Sequence, residues 1–89
     1  MKTKFLPESE SSELLIDQSD LVIYNDDVHT FDFVIETLVD VCDHEYLQAV
    51  QCTNLIHHKG KCGVKRGSFY ELKPICEALL EKGLSATIE

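Results

Sequence analysis

Residues 21–27 read Leu-Val-Ile-Tyr-Asn-Asp-Asp, and residues 30–34 read Thr-Phe-Asp-Phe-Val. The first stretch is a run of strand-forming residues that ends in three carboxylate or amide side chains. The second begins with Thr30, a residue typical of a helix N-cap. Residues 25–27 therefore lie where the chain leaves a buried strand, with their polar groups at the edge of an apolar core. This arrangement suits an amino group attached to an apolar body.

Two helices are predicted directly after this strand, which is placed at Leu21 to Asn25. The apolar spacing after Thr30 is that of a helix, and Asp43 is predicted to cap a second helix that ends at Gly60. The apolar face of the first helix comprises Phe31, Val34, Ile35, Leu38 and Val41. In the second helix, the residues that roughly follow one face are Leu47, Val50, Asn54 and His57.

The rest of the chain supplies a second strand at residues 62–65, a third helix and a last strand at residues 84–88. Ser68 and Glu71 have the spacing of a capping box, Pro74 should kink the third helix or delay its start, and Gly83 should end it. The predicted order is β-α-α-β-α-β. This order predicts an α+β fold, a small open sandwich with a three-stranded antiparallel sheet and three helices on one face.

Size, charge and composition restrict the functional classes. The 89 residues suit one domain, and we expect residues 1–20 to form a flexible N-terminal tail before a folded domain at residues 21–89. A net charge of −8 argues against nucleic acid as a partner. No segment suggests a membrane span or a secretion signal, so a cytoplasmic protein is the expectation. The sequence calls for no cofactor.

The four cysteines follow no metal or redox spacing. Cys42, Cys52, Cys62 and Cys76 include no C-x-x-C pair, so a zinc ribbon and a thioredoxin-type site are not predicted. We expect most of them to be buried free thiols.

In its motifs and in their order, the chain resembles the ClpS family, adaptors that deliver N-degron (N-end rule) substrates to a Clp-type AAA+ unfoldase and its protease. The motifs that carry the resemblance are residues 24–27 followed by 33–35, then residues 56–57 before 60–61, and then residues 62–64. The resemblance covers roughly residues 21–89 and implies two kinds of partner, the unfoldase and the N-degron substrate proteins.

The resemblance also implies roles for particular residues. Asn25, Asp26 and His57 match the positions that bind the free α-amino group of a substrate's first residue. Lys73 matches a residue on the surface that docks against the unfoldase. The positions that line the pocket for a bulky hydrophobic first side chain, which in the family is Leu, Phe, Tyr or Trp, are matched by Phe31, Val34, Thr53, Ile56 and Leu84.

The chain departs from the family pattern at several of these positions. Phe31 stands where the family usually has a Met that excludes β-branched side chains, and Thr53 stands where Met is common. His29 and Thr30 replace the usual Thr-Pro, and Ser68 replaces an acidic residue of the docking face. These differences affect the expected ligand preference and the unfoldase contact more than the fold.

Other interpretations of the same residues remain open. Residues 25–27 taken alone could be only an Asx turn. A small metal-binding protein would use His57, His58 and Cys62, with Cys42 or His44 as a further ligand. An enzyme would use Asp26 or Asp27 with His57 as an acid–base pair, although no nucleophile or oxyanion loop accompanies them. The C-terminal domain of the large-subunit ribosomal stalk protein has the same element order, so fold alone does not fix function.

Overall fold

The sheet is built around its first strand. The computed structural model describes residues 18–89, and in it β1 (Ser19–Tyr24) pairs antiparallel with both β2 (Lys61–Gly67) and β3 (Ser85–Ile88), in the order β2-β1-β3. Leu21 and Ile23, on one face of β1, are fully buried in the core shared with the helices. The predicted element order and antiparallel sheet are confirmed.

The first strand begins earlier than expected. Ser19 and Asp20, which the sequence assigned to the tail, already pair with Gly67 and Arg66 of β2. The remainder of the predicted tail, residues 1–17, lies outside the described residues. No helix within residues 18–89 has the length and apolar character needed to cross a bilayer.

The first helix, α1 (Phe31–Cys42), begins as predicted. The Thr30 hydroxyl accepts a hydrogen bond from Phe33 N–H at 3.0 Å, which satisfies one of the free donors of the first turn. Asp43 was predicted to cap the next helix, and that prediction is wrong. Asp43 ends α1 in the left-handed conformation (φ 63°), with its N–H bonded to Leu38 O, because Asp tolerates this conformation better than most side chains.

The second helix, α2 (Tyr46–Lys59), follows Glu45, which makes no side-chain cap bond. The face that the sequence indicated for this helix is not its buried face. Ala49, Thr53 and Ile56 are buried, whereas Val50 is half-buried and Leu47, Asn54 and His57 are exposed. The buried residues keep helical spacing, but two of them are small or polar, so hydrophobicity alone does not mark this face. Gly60 (φ 94°) ends the helix as predicted.

The third helix, α3 (Phe69–Glu81), has the predicted capping box. Ser68 Oγ accepts from Glu71 N–H at 3.1 Å, and Glu71 Oε1 accepts from Ser68 N–H at 3.0 Å. The helix starts at Phe69 and runs through Pro74, so Pro74 does not delay its start. We attribute this to the capping box, which fixes the first turn although Pro74 has no N–H to donate. Gly83 (φ 90°) follows the helix and leads into β3.

Replacing Ser68 with Ala should lower the free energy of unfolding by about 1 kcal/mol, because the Glu71 N–H loses its acceptor in the first turn of α3. Urea unfolding monitored by circular dichroism measures this change. Ser85→Ala, at an exposed position of β3, is the matched control and should change stability by less than about 0.5 kcal/mol. Equal effects of the two substitutions would contradict the capping role.

Candidate functional site

A cavity opens where the end of β1, the start of α1, the end of α2 and the loop before β3 meet. Its volume is about 220 Å³. Pockets for drug-sized ligands have volumes of roughly 300–1,000 Å³, so this cavity suits a smaller group such as one amino-acid side chain. Its lining comprises Ile23, Tyr24, Asn25, Asp26, Asp27, His29, Thr30, Phe31, Val34, Thr53, Ile56, His57 and Leu84.

The floor of the cavity is apolar. Ile23, Val34, Ile56 and Leu84 are buried and belong to the hydrophobic core. Thr53 is also buried, and its hydroxyl donates to Ala49 O at 2.7 Å, so it brings no unpaired polar atom to the floor. Burial of a hydrophobic side chain here would be favourable because the floor offers apolar contact without competing polar groups.

The rim carries the polar groups, and Asp26 is the most fully engaged of them. Its Oδ1 accepts hydrogen bonds from Val28 N–H at 2.9 Å and from His29 N–H at 3.1 Å. Burial by itself would raise the pKa of Asp26, but these bonds and the side chain of His29 together lower the pKa below its ordinary value. The Asx turn that the sequence left open is therefore present, and it holds an ionised carboxylate at the cavity.

His29 is a site residue that the sequence analysis did not identify. Its Nδ1 lies 3.1 Å from Asp26 Oδ1 and 3.2 Å from Oδ2, and its ring stacks on Phe33 with the centroids 4.8 Å apart. An Asp and a His three residues apart in a turn could have indicated this pair. The contact with Phe33 depends on how the chain enters α1, which no local pattern specifies.

The other rim residues come from separate elements. Asn25 is tied to the end of α2 because its N–H donates to Gly60 O at 2.9 Å. His57 lies on the last turn of α2, and its ring meets Phe31 edge-on, with the centroids 6.2 Å apart and the planes at 81°. Phe31, which the sequence placed on the apolar face of α1, is 39% exposed. Its side chain lines the cavity and is not fully packed into the core.

The structure brings most of the predicted site residues together. Eight of the nine line the one cavity, although their individual roles stay predictions: Asn25, Asp26, His57, Phe31, Val34, Thr53, Ile56 and Leu84. Lys73, the predicted docking residue, lies elsewhere, on an exposed position of α3. Within residues 18–89 no residue of α3 lines the cavity.

The predicted metal-binding alternative is not supported. Within the described part of the chain, no three His, Cys, Asp or Glu side chains converge closely enough to hold a metal ion. His57 is at the cavity, His58 Nδ1 lies 3.4 Å from Asn54 O, and His44 Nε2 lies 2.6 Å from Val64 O on a different part of the fold.

The cysteines are buried free thiols, as predicted for most of them. Cys42, Cys62 and Cys76 are buried and Cys52 is half-buried, and all four are free. Burial raises the pKa of the Cys42 thiol to about 11 and is the main cause that raises the pKa of the Cys62 thiol to about 12. Thiols with such pKa values are poor nucleophiles and poor metal ligands at neutral pH.

The acid–base alternative also changes once the geometry is known. The imidazole that contacts Asp26 belongs to His29, whereas the sequence alternative paired Asp26 or Asp27 with His57. A carboxylate whose pKa is lowered is a weak base at neutral pH. The arrangement is therefore better suited to holding a cation than to moving a proton.

Comparison with known proteins agrees with this fold. The family model described as ATP-dependent Clp protease adaptor protein ClpS matches residues 17–87. A ClpS adapter protein of Campylobacter jejuni subsp. doylei is 36% identical over 66 residues, which cover 72% of this chain and 67% of that protein. The solved structure of Agrobacterium tumefaciens ClpS2 bound to L-phenylalaninamide matches with a TM-score of 0.70 at 20% identity, over 83% of this chain and 96% of that one.

The fold and the family match place the chain in a class of adaptor proteins of the ATP-dependent Clp protease. The chain belongs to the ClpS family. That family consists of adaptors rather than enzymes, and membership implies partnership with the Clp protease system.

Proposed function

We propose that this chain binds the free N-terminal residue of N-degron substrate proteins, when that residue is bulky and hydrophobic, and delivers these proteins to a Clp-type AAA+ unfoldase. The observation that carries this proposal is the cavity itself, which joins an ionised carboxylate at its rim to an apolar floor. The ligand named for the structurally similar ClpS2, L-phenylalaninamide, has a free amine and a benzyl side chain and supports the same pairing here.

The rim supplies acceptors for the amine. A protonated α-amino group has three N–H donors, and Asp26, the amide oxygen of Asn25 and a ring nitrogen of His57 could accept them. All three residues line the cavity. An acetylated terminus has no charge and fewer donors, so it would leave the Asp26 carboxylate without its cation.

The apolar floor supplies the hydrophobic contribution to the free energy of binding. Burying a Leu or Phe side chain contributes about 1.5–3 kcal/mol, and each hydrogen bond to a charged group contributes about 1.5–3 kcal/mol. Two or three such contributions, less the entropy lost on association, correspond to binding at about the micromolar level. That affinity is modest for delivery, so a second contact with the unfoldase would raise the effective concentration of substrate.

The second contact is assigned to the surface around Lys73. Lys73 is exposed on α3, which contributes no residue to the cavity lining in residues 18–89. A bound N-terminal residue would therefore leave the Lys73 surface free for the unfoldase. We assign no catalytic step to the chain, and the carboxylate of Asp26 serves as an anion for binding.

Short fluorescent peptides that differ only in their first residue, each with a free and an acetylated amine, test this function by fluorescence anisotropy. We expect Leu, Phe, Tyr or Trp to give the tightest binding in the free set, and Gly to bind at least about 10-fold more weakly because it leaves the floor empty. Acetylation should abolish binding. Equal affinity of a free peptide and its acetylated counterpart would rule out recognition of the amine.

A further inference from the structure

His29 contacts three parts of the fold at once. Its Nδ1 is within hydrogen-bonding distance of Asp26, and its ring stacks on Phe33 of α1 with the planes at 19°. On another side, His29 Nε2 lies 3.0 Å from the point where a Cβ on Gly83 would stand. The His29 side chain is 17% exposed, so the ring is held in one place by packing while it still borders the cavity.

We propose that His29 is a positioning residue that fixes the Asp26 carboxylate at the cavity rim, where the carboxylate would meet an ammonium group. This inference rests on the proposed function, because the ammonium group is that of the substrate's first residue. It adds a fourth polar residue to the three that the sequence indicated for amine binding.

The positioning follows from the pattern of hydrogen bonds. Asp26 Oδ1 accepts from two backbone N–H groups and lies 3.1 Å from His29 Nδ1, whereas Oδ2 has only the longer contact of 3.2 Å with Nδ1. Oδ2 is therefore the oxygen with acceptor capacity left for a ligand. Without the His29 side chain, the carboxylate would keep only the two bonds from the turn and lose the contact that fixes both of its oxygens.

Gly83 and Phe33 explain why the ring stays in place. Phe33 is anchored in the first turn of α1, and Gly83 follows α3 with a φ of 90° that glycine adopts without strain. A Cβ on Gly83 would meet His29 Nε2 at 3.0 Å and Cε1 at 3.2 Å, which is closer than ordinary packing allows. The absence of a side chain at Gly83 thus makes room for the imidazole.

The chemistry of the ring suits this role. An imidazole N–H on Nδ1 donates to the Asp26 carboxylate and leaves the negative charge of that carboxylate available to a ligand.

Two substitutions separate the hydrogen bond from the packing. His29→Phe keeps a ring to stack on Phe33 and removes the donor, and His29→Asn keeps a side-chain donor without the ring. With a free-amine peptide that begins with Phe, we expect His29→Phe to weaken binding by about 10-fold, and His29→Asn to stay within about 3-fold of the unsubstituted protein.

A ligand-free measurement tests the same contact. NMR titration of the Asp26 carboxyl carbon should give a higher pKa in His29→Phe than in the unsubstituted protein, because a hydrogen bond that lowers the pKa is lost. An unchanged Asp26 pKa would overturn the proposal, as would a loss of affinity in His29→Asn as large as that in His29→Phe. If His29→Phe fails to fold, His29→Leu, which also lacks a donor, replaces it in both measurements. If the unsubstituted protein binds no free-amine peptide, the proposed function fails, and the role of His29 at the substrate amine falls with it. A higher Asp26 pKa in His29→Phe would then show that the contact itself exists.

Discussion

Replacing Asp26 with Ala should weaken binding of every free-amine peptide by at least about 100-fold. Removal of one partner from a hydrogen-bonded charge pair costs about 2–5 kcal/mol or more, and every 1.4 kcal/mol is a factor of 10 in affinity. The effect should not depend on the first side chain, because the amine that Asp26 is proposed to bind is common to all of the peptides. Fluorescence anisotropy with the Leu and Phe peptides measures it.

Asp27→Ala is the matched control for this experiment. Asp27 is the next residue along the chain and lines the same cavity. Its substitution removes one negative charge, as the substitution of Asp26 does. Two backbone N–H groups of the turn hold the Asp26 side chain. Among the described residues, no hydrogen bond holds the Asp27 side chain in the same way. We expect Asp27→Ala to change the affinity by less than about 5-fold, a size typical of partly screened rim charges. If both substitutions abolished binding, general electrostatic attraction would explain the result better than a specific hydrogen bond between Asp26 and the amine.

The local signals in the sequence predicted most of the fold. The strand at residue 21, the N-cap Thr30 and the capping box of Ser68 and Glu71 each depend on residues that are close in sequence. Signals of this kind can be interpreted without knowledge of the tertiary structure. They were sufficient to give the element order and, with it, the sheet.

The errors arose where tertiary contacts decide. The burial of Ala49 and Thr53 on α2 depends on how closely that helix approaches the sheet, and small or polar residues give no hydrophobic signal of it. Asp43 lies between two helices, so its residue type suits the end of one as well as the start of the next. Its left-handed conformation shows which role it has.

The site was predicted in part, for a similar reason. Eight residues from the loop after β1, from α1, from α2 and from the loop before β3 were assigned to one site through the family resemblance, and they line one cavity. His29 was noted only as a departure from the family pattern. Its contact with Asp26 is local, but its packing against Phe33 and the space left by Gly83 require the folded chain.

The second large effect concerns the core that holds these elements together. Leu38 of α1 is fully buried, with 0% of its surface exposed, and it does not belong to the cavity lining. Leu38→Ala should lower the free energy of unfolding by about 2–5 kcal/mol, because the lost apolar contact and the cavity left behind both destabilise the folded state. This is a large fraction of the roughly 5–15 kcal/mol typical of a folded domain. Thermal and urea unfolding measure the change.

Leu80→Ala is the control, since Leu80 lies on α3 and is 50% exposed, and it should cost about 1 kcal/mol or less. At temperatures where Leu38→Ala is still folded, its affinity for the Phe peptide should stay within about 2-fold of the unsubstituted protein, because the cavity floor and the residues proposed to bind the amine do not include Leu38. A folded Leu38→Ala variant that lost binding would show that the cavity depends on core packing well beyond its own lining. Retained binding together with a large loss of stability would show that the core holds the elements in position while the cavity residues alone determine the affinity.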